Sequence, residues 1–160
     1  HSMGAVVAFE VARRLQAQGR PGPDALVVSG RRAPTLRRDE SVHQRDDAGL
    51  VEELRFLGGS QNEALTDPEI LRMALPVVRA DYRAVETYTY SPGPRLACPI
   101  TALVGDDDPK VSVTEADAWR EQTTAGFDLH VFSGGHFFLA EHREQVTTRL
   151  AAVLSVQPGR

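Results

Sequence analysis

Cysteine is nearly absent from this sequence. Cys98 stands alone, so no disulfide can close within the chain, and a reducing, cytoplasmic setting is the expectation. Lysine is equally scarce, Lys110 being the single example among 18 basic residues. A net charge of -4 leaves no basic footprint, which argues against a nucleic-acid partner. No apolar run approaches the length of a membrane span and no signal peptide is visible, so no membrane partner is expected either. There is no H-E-x-x-H and no pair of histidines at ligand spacing, and Gly58-Gly59 and Gly134-Gly135 lack the context of a phosphate loop. Neither a metal nor a cofactor is therefore expected. What remains is ordinary for a globular domain: 160 residues, 41% hydrophobic and 25% charged, enough for one moderate core.

The apolar residues Val6, Val7, Phe9, Val11, Ala12 and Leu15 are dense and do not alternate. They predict a buried helix that ends near Gly19, with Pro21, Gly22 and Pro23 forcing a turn. Residues 25–30 are a short apolar run ending in glycine, suited to a central parallel strand. Residues 31–45 are polar and rich in arginine, and read as a solvated loop. From about Asp46 to Tyr90 the pattern is helical throughout: Leu50, Leu54 and Leu57 mark one face, and Asp67-Pro68 starts a second helix. Pro76 is expected to break that second helix. Residues 99–105 predict a second buried strand, 113–122 a helix capped by Ser112 or Thr114, 127–132 a third strand and 141–154 a closing helix. Val146, Leu150, Val153 and Leu154 would form the buried side of that last helix. Strand, helix and strand in this order imply an α/β fold, a parallel sheet flanked by helices, with a helical lobe inserted at about 46–90.

Three short motifs carry chemistry. His1-Ser2-Met3-Gly4, running straight into a helix, resembles the end of a G-x-S-x-G nucleophile elbow whose first glycine lies upstream. In such a turn small flanking residues let the backbone bend, and the amide of Met3 would face a developing oxyanion. Taken alone, His-Ser-Met is weak evidence, with a cloning remnant as the competing, less favoured reading. The second motif, Gly105-Asp106-Asp107-Asp108-Pro109, follows an apolar strand, where a hydrolase of this architecture keeps its orienting acid. Three adjacent aspartates leave the choice open, and an acidic surface turn is the bland alternative. Asp108 is favoured by its distance from the strand-terminal glycine, with Asp106 and Asp107 as solvated neighbours. The third is Gly134-Gly135-His136-Phe137-Phe138, on a loop just before the last helix. Glycines allow that loop a close approach. His43, His130 and His142 fall on a loop, a strand and a helix surface, the ordinary places for structural histidines. The order Ser2, Asp108, His136 is the order of α/β-hydrolases. Cys98 before Pro99 reads as a packed residue at a strand entry, with no histidine placed to activate it.

Taken together, these residues resemble the type II thioesterases that accompany polyketide synthases and nonribosomal peptide synthetases. The likeness runs through His-Ser-Met-Gly-Ala and the helix after it, through Arg79-Ala80-Asp81-Tyr82-Arg83-Ala84-Val85-Glu86, through Cys98 to Leu103 and Gly105 to Pro109, and ends on Gly134 to Leu139. It implies a monomeric enzyme that hydrolyses stalled acyl or aminoacyl groups from the phosphopantetheine arm of an acyl or peptidyl carrier protein. Ser2 would be the nucleophile, His136 the base, Asp108 its orienting acid and Met3 one oxyanion donor, with the 46–90 lobe as a lid. Residues 1–160 would then be part of an α/β-hydrolase domain, with the strands ahead of the elbow upstream, and would be inactive or poorly folded by themselves. A releasing thioesterase, a fatty-acyl thioesterase, an esterase and a noncatalytic hydrolase-like binding protein are the competing readings.

Overall fold

The computed structural model describes residues 1–58 and 66–155, and the chain divides into two compact units, His1–Leu36 with Ser91–Arg160, and Arg37–Tyr90. In the first unit, helix α1 (Met3–Ala17) leads to strand β1 (Leu26–Ser29). After the second unit the chain returns as β2 (Ile100–Gly105), α4 (Val113–Asp117), a 3-10 turn (Ala118–Gln122) and β3 (Phe127–Phe132). It closes with the short α5 (Phe138–Glu141) and α6 (Arg143–Ser155).

The three strands form one parallel sheet in the order β1-β2-β3, with Leu26 opposite Ile100 and Ile100 opposite Phe127. Every residue of the central β2 is buried, which is why Ile-Thr-Ala-Leu-Val-Gly reads as a continuous run rather than an alternation. On α1 the buried residues Ala5, Phe9 and Ala12 recur at helical spacing. Phe9 meets the fully buried Trp119 edge-on, ring centroids 5.3 Å apart. Burying two such rings stabilises the fold by roughly 2–3 kcal/mol each. Leu103, Phe132, Phe138 and Val146 pack into one cluster and Val104, Val111 and Ala116 into another.

Several sequence expectations need correction here. The 31–45 segment is not wholly solvated: Arg32 is buried and donates to the carbonyl of Lys110, and the Trp119 indole donates to the carbonyl of Arg31. Charge misled because a guanidinium can be buried once its donors meet carbonyls. The helix expected over 113–122 is two pieces, α4 and a 3-10 turn, and its cap is Ser112, in a reciprocal capping box with Glu115. The closing helix is also split, at His142, and Leu154 lies exposed rather than on a buried face.

The second unit holds a 3-10 turn (Val42–Gln44), α2 (Asp47–Gly58) and α3 (Pro68–Glu86). Its core is Val42, Leu50 and Leu75, joined by Leu54, Leu71, Val78 and Tyr82. Asp67 caps α3, accepting from the amides of Glu69 and Ile70. Pro76 does not break α3, which runs through it for 19 residues. Pro76 and Arg72 both lie on the exposed side, where water replaces the bond the ring removes. Residues 88–90 are not helical, and residues 59–65 of the expected helical stretch, with Gly59 among them, lie outside the described residues. His43, read as a structural histidine, is held in the 3-10 turn. The buried Glu86 carboxylate accepts from its Nδ1 (2.5 Å) and from the amides of Val42 (2.9 Å) and His43 (3.1 Å). Burial pushes the Tyr82 phenol above its usual value, and the carboxylates of Glu53 and Glu86 push it further. No helix among the described residues is long and apolar enough to cross a membrane.

Candidate active site

The site begins with a backbone distortion. Ser2 sits at φ 51°, ψ -123°, and among the described residues no other non-glycine has positive φ. Such a conformation costs roughly 1–3 kcal/mol and persists only where neighbours impose it. Here the Ser2 amide donates to the carbonyl of Ser29 (2.8 Å), while the amides of Gly4 and Ala5 donate back to the carbonyls of His1 and Ser2. The turn is thus fixed to the end of β1 on one side and to the first turn of α1 on the other. As the first residue of α1, Met3 has an N–H with no partner inside the helix. The expectation that small flanking residues are needed within the turn is not met at Gly4, where a Cβ would touch nothing within 4 Å. The close approach is at Gly30 instead. It has φ 56°, and a Cβ there would lie 2.6 Å from His1 Cε1 and 3.3 Å from His136 Cε1.

His136 is brought to this place by the loop after β3, and Asp108 by the loop after β2. Both are buried. His136 Nδ1 donates to Asp108 Oδ2 (2.9 Å) and Oδ1 (3.1 Å), which fixes the tautomer and leaves Nε2 with its lone pair. Asp108 Oδ1 also accepts from the Lys110 amide (2.8 Å), so the carboxylate is held as well as paired. His1, next to Ser2 in the chain, places its ring 4.8 Å from that of His136, and its Nδ1 lies 3.0 Å from Ser29 Oγ. Phe137 stands edge-on to His136 at 5.2 Å.

Sequence reasoning missed several contributors. Gly105 is the first: a Cβ on it would lie 2.3 Å from the carbonyl oxygen of Gly134 and 2.5 Å from that of Gly135. Only a bare Cα lets the two loops close on one another. Asp106, expected as a solvated neighbour, is exposed but accepts the Gly134 amide through Oδ1 (2.9 Å). Asp107 donates its backbone N–H to the Gly134 carbonyl (3.0 Å). The remaining histidines of this unit have other settings. His130 lies in β3, and His142 Nε2 donates to the carbonyl of Ser133 (2.8 Å). Cys98 is half-buried, and desolvation pushes its thiol above the usual range, which disfavours the thiolate. No group of three or more His, Cys, Asp or Glu among the described residues could hold a metal ion.

A strained serine at the head of α1, a buried carboxylate–imidazole pair and a parallel sheet flanked by helices define the α/β-hydrolase class, a fold the chain shares with its structural neighbours. Within that class the chain belongs to the thioesterase domain family, whose pattern it matches over residues 1–154. It is 54% identical over 154 residues to a probable cadicidin biosynthesis thioesterase of Streptomyces griseus, covering 96% of this chain and 42% of that protein. It is 45% identical over 159 residues to the thioesterase PikA5 of Streptomyces venezuelae, covering 99% of this chain and 57% of that protein. The structure of the type II thioesterase BorB from the borrelidin biosynthetic cluster superposes with a TM-score of 0.89 at 52% identity, covering 96% of this chain and 63% of that one. The chain thus spans about half the length of the curated relatives it matches.

Proposed function

We propose that the protein containing this chain is a serine thioesterase that releases acyl or aminoacyl groups from the phosphopantetheine arm of a carrier protein, an editing role beside a polyketide or nonribosomal peptide assembly line. The single observation that carries the chemical part is the buried Asp108–His136 pair beside the positive-φ turn at Ser2. The relatives named as biosynthetic thioesterases support the choice of a thioester as substrate.

In this reading His136 Nε2 takes the proton of Ser2 Oγ as the oxygen attacks the thioester carbonyl. Asp108 holds the ring in the required tautomer and stabilises the imidazolium that forms. The carbonyl oxygen, now negative, is met by the Met3 N–H at the start of α1 and by a second donor. Collapse expels the pantetheine thiol. A thiolate is a good leaving group, so acid assistance is less demanding than for an amine. Water, activated by His136, then releases the acid and regenerates Ser2.

The test is hydrolysis of acyl-loaded carrier protein by the full-length protein that contains this chain, beside its Ser2→Ala variant. Turnover lost in the variant is the expected result. Cleavage of simple esters with no action on the carrier-bound thioester would keep the hydrolase and reject the carrier-protein substrate.

A further inference from the structure

We infer that Asp106 is a positioning residue, whose carboxylate holds the His136 loop in register with Asp108 by accepting the Gly134 amide; the inference rests on the Ser2–His136–Asp108 reading. The two loops meet as successive rungs. At the outer rung, Gly134 is gripped twice: its N–H donates to Asp106 Oδ1 (2.9 Å), and its carbonyl accepts from the Asp107 N–H (3.0 Å). Two residues further along each loop, His136 donates to Asp108. Asp106 itself is fixed, since its amide donates to the carbonyl of Phe132 (2.8 Å) at the end of β3.

Geometry makes this grip necessary. Gly134 has φ 113°, a conformation that side chains rarely adopt, so the loop turns where it has no side chain to anchor it. Its oxygen also crowds Gly105 closely enough to exclude a methyl group. A glycine-rich loop under such constraint holds one conformation only if its backbone groups are bonded. The Asp107 amide is a fixed backbone partner that any residue at that position would supply. The Asp106 carboxylate is the partner that depends on side-chain identity, and it spans 28 residues of sequence. Its exposure explains why composition alone marks it as a surface charge.

An amide oxygen accepts an N–H as a carboxylate does, so Asp106→Asn keeps the bond and Asp106→Ala removes it. In the full-length protein, Asp106→Ala is expected to lower kcat on an acyl thioester about 10- to 100-fold with KM unchanged, through misplacement of the base. Asp106→Asn should return kcat to within about threefold of the parent. A second readout needs no substrate: the low-field proton resonance of the His136 Nδ1–H···Asp108 bond. It should broaden or vanish in Asp106→Ala and remain in Asp106→Asn. Equal defects in the two variants, a change confined to KM, or an undisturbed resonance in Asp106→Ala would each overturn the assignment. A parent protein that retains the resonance but no Ser2-dependent turnover would fail the thioesterase reading, while the proton signal in the variants still decides the role of Asp106.

Discussion

Replacing Gly105 by alanine adds only one methyl group, yet it should be among the most damaging small changes in the chain. The new Cβ would lie 2.3 Å from the Gly134 carbonyl oxygen and 2.5 Å from that of Gly135, against an ordinary contact of 3.4 Å or more. Relief therefore needs a displacement of roughly 1 Å, and the obstruction is backbone, which cannot rotate aside as a side chain would. β2 is the central strand and pairs on both sides, so the movement falls on the His136 loop. A shift of that size breaks the 2.9 Å bond to Asp108 and moves the base relative to Ser2. A misplacement of about 1 Å is worth on the order of 10²-fold in rate, and overpacking of this kind destabilises by about 1–3 kcal/mol. Thioester hydrolysis and denaturant melts of the full-length protein would be measured together. A Gly105→Ala protein with parental kcat would refute the argument that the two loops touch at this glycine.

Three further outcomes follow from other parts of the chain. Glu86→Ala removes a buried acceptor of two backbone amides and the His43 ring, and should cost the Arg37–Tyr90 unit about 3 kcal/mol, with faster hydrogen exchange at Val42 and His43. Tyr82 has its phenol raised by burial and by Glu53 and Glu86, so the folded state holds that proton more tightly than the unfolded chain does. The stabilisation is complete below the ordinary tyrosine value near 10 and is lost as pH rises beyond it, so Tyr82→Phe should flatten the alkaline fall in melting temperature. Ser112→Ala removes the side-chain half of the α4 capping box and should cost about 1 kcal/mol by chemical denaturation.

The parallel sheet was readable because buried strands announce themselves as unbroken apolar runs, as Ile100–Gly105 does. Asp108 and His136, which the structure pairs, could be singled out because each follows a strand with glycine beside it, Asp108 after the unbroken Ile100–Gly105 run and His136 after the alternating Phe127–Phe132. The structural devices that hold them were not. Asp106 looks like any exposed acid until its carboxylate is seen to accept the amide of Gly134, 28 residues away. Arg32 looks like a solvated charge until Lys110, 78 residues away, offers its carbonyl. Gly105 reads as a strand terminator, whereas its necessity comes from a loop roughly 30 residues later whose carbonyls fill the space of a side chain. Pro76 shows the opposite error, because local propensity predicts a break that an exposed position tolerates. In each case the deciding contact is long-range, and hydrophobic periodicity carries no record of it.

The central claim is that Ser2 forms a covalent acyl intermediate. The most direct measurement is mass spectrometry of the full-length protein quenched shortly after mixing with an acyl thioester, with the adduct located by peptide fragmentation. The account predicts an added acyl mass on Ser2 that decays with turnover, is absent in Ser2→Ala, and accumulates poorly in His136→Ala. Turnover with no adduct on Ser2, or an adduct on Cys98 instead, would contradict it.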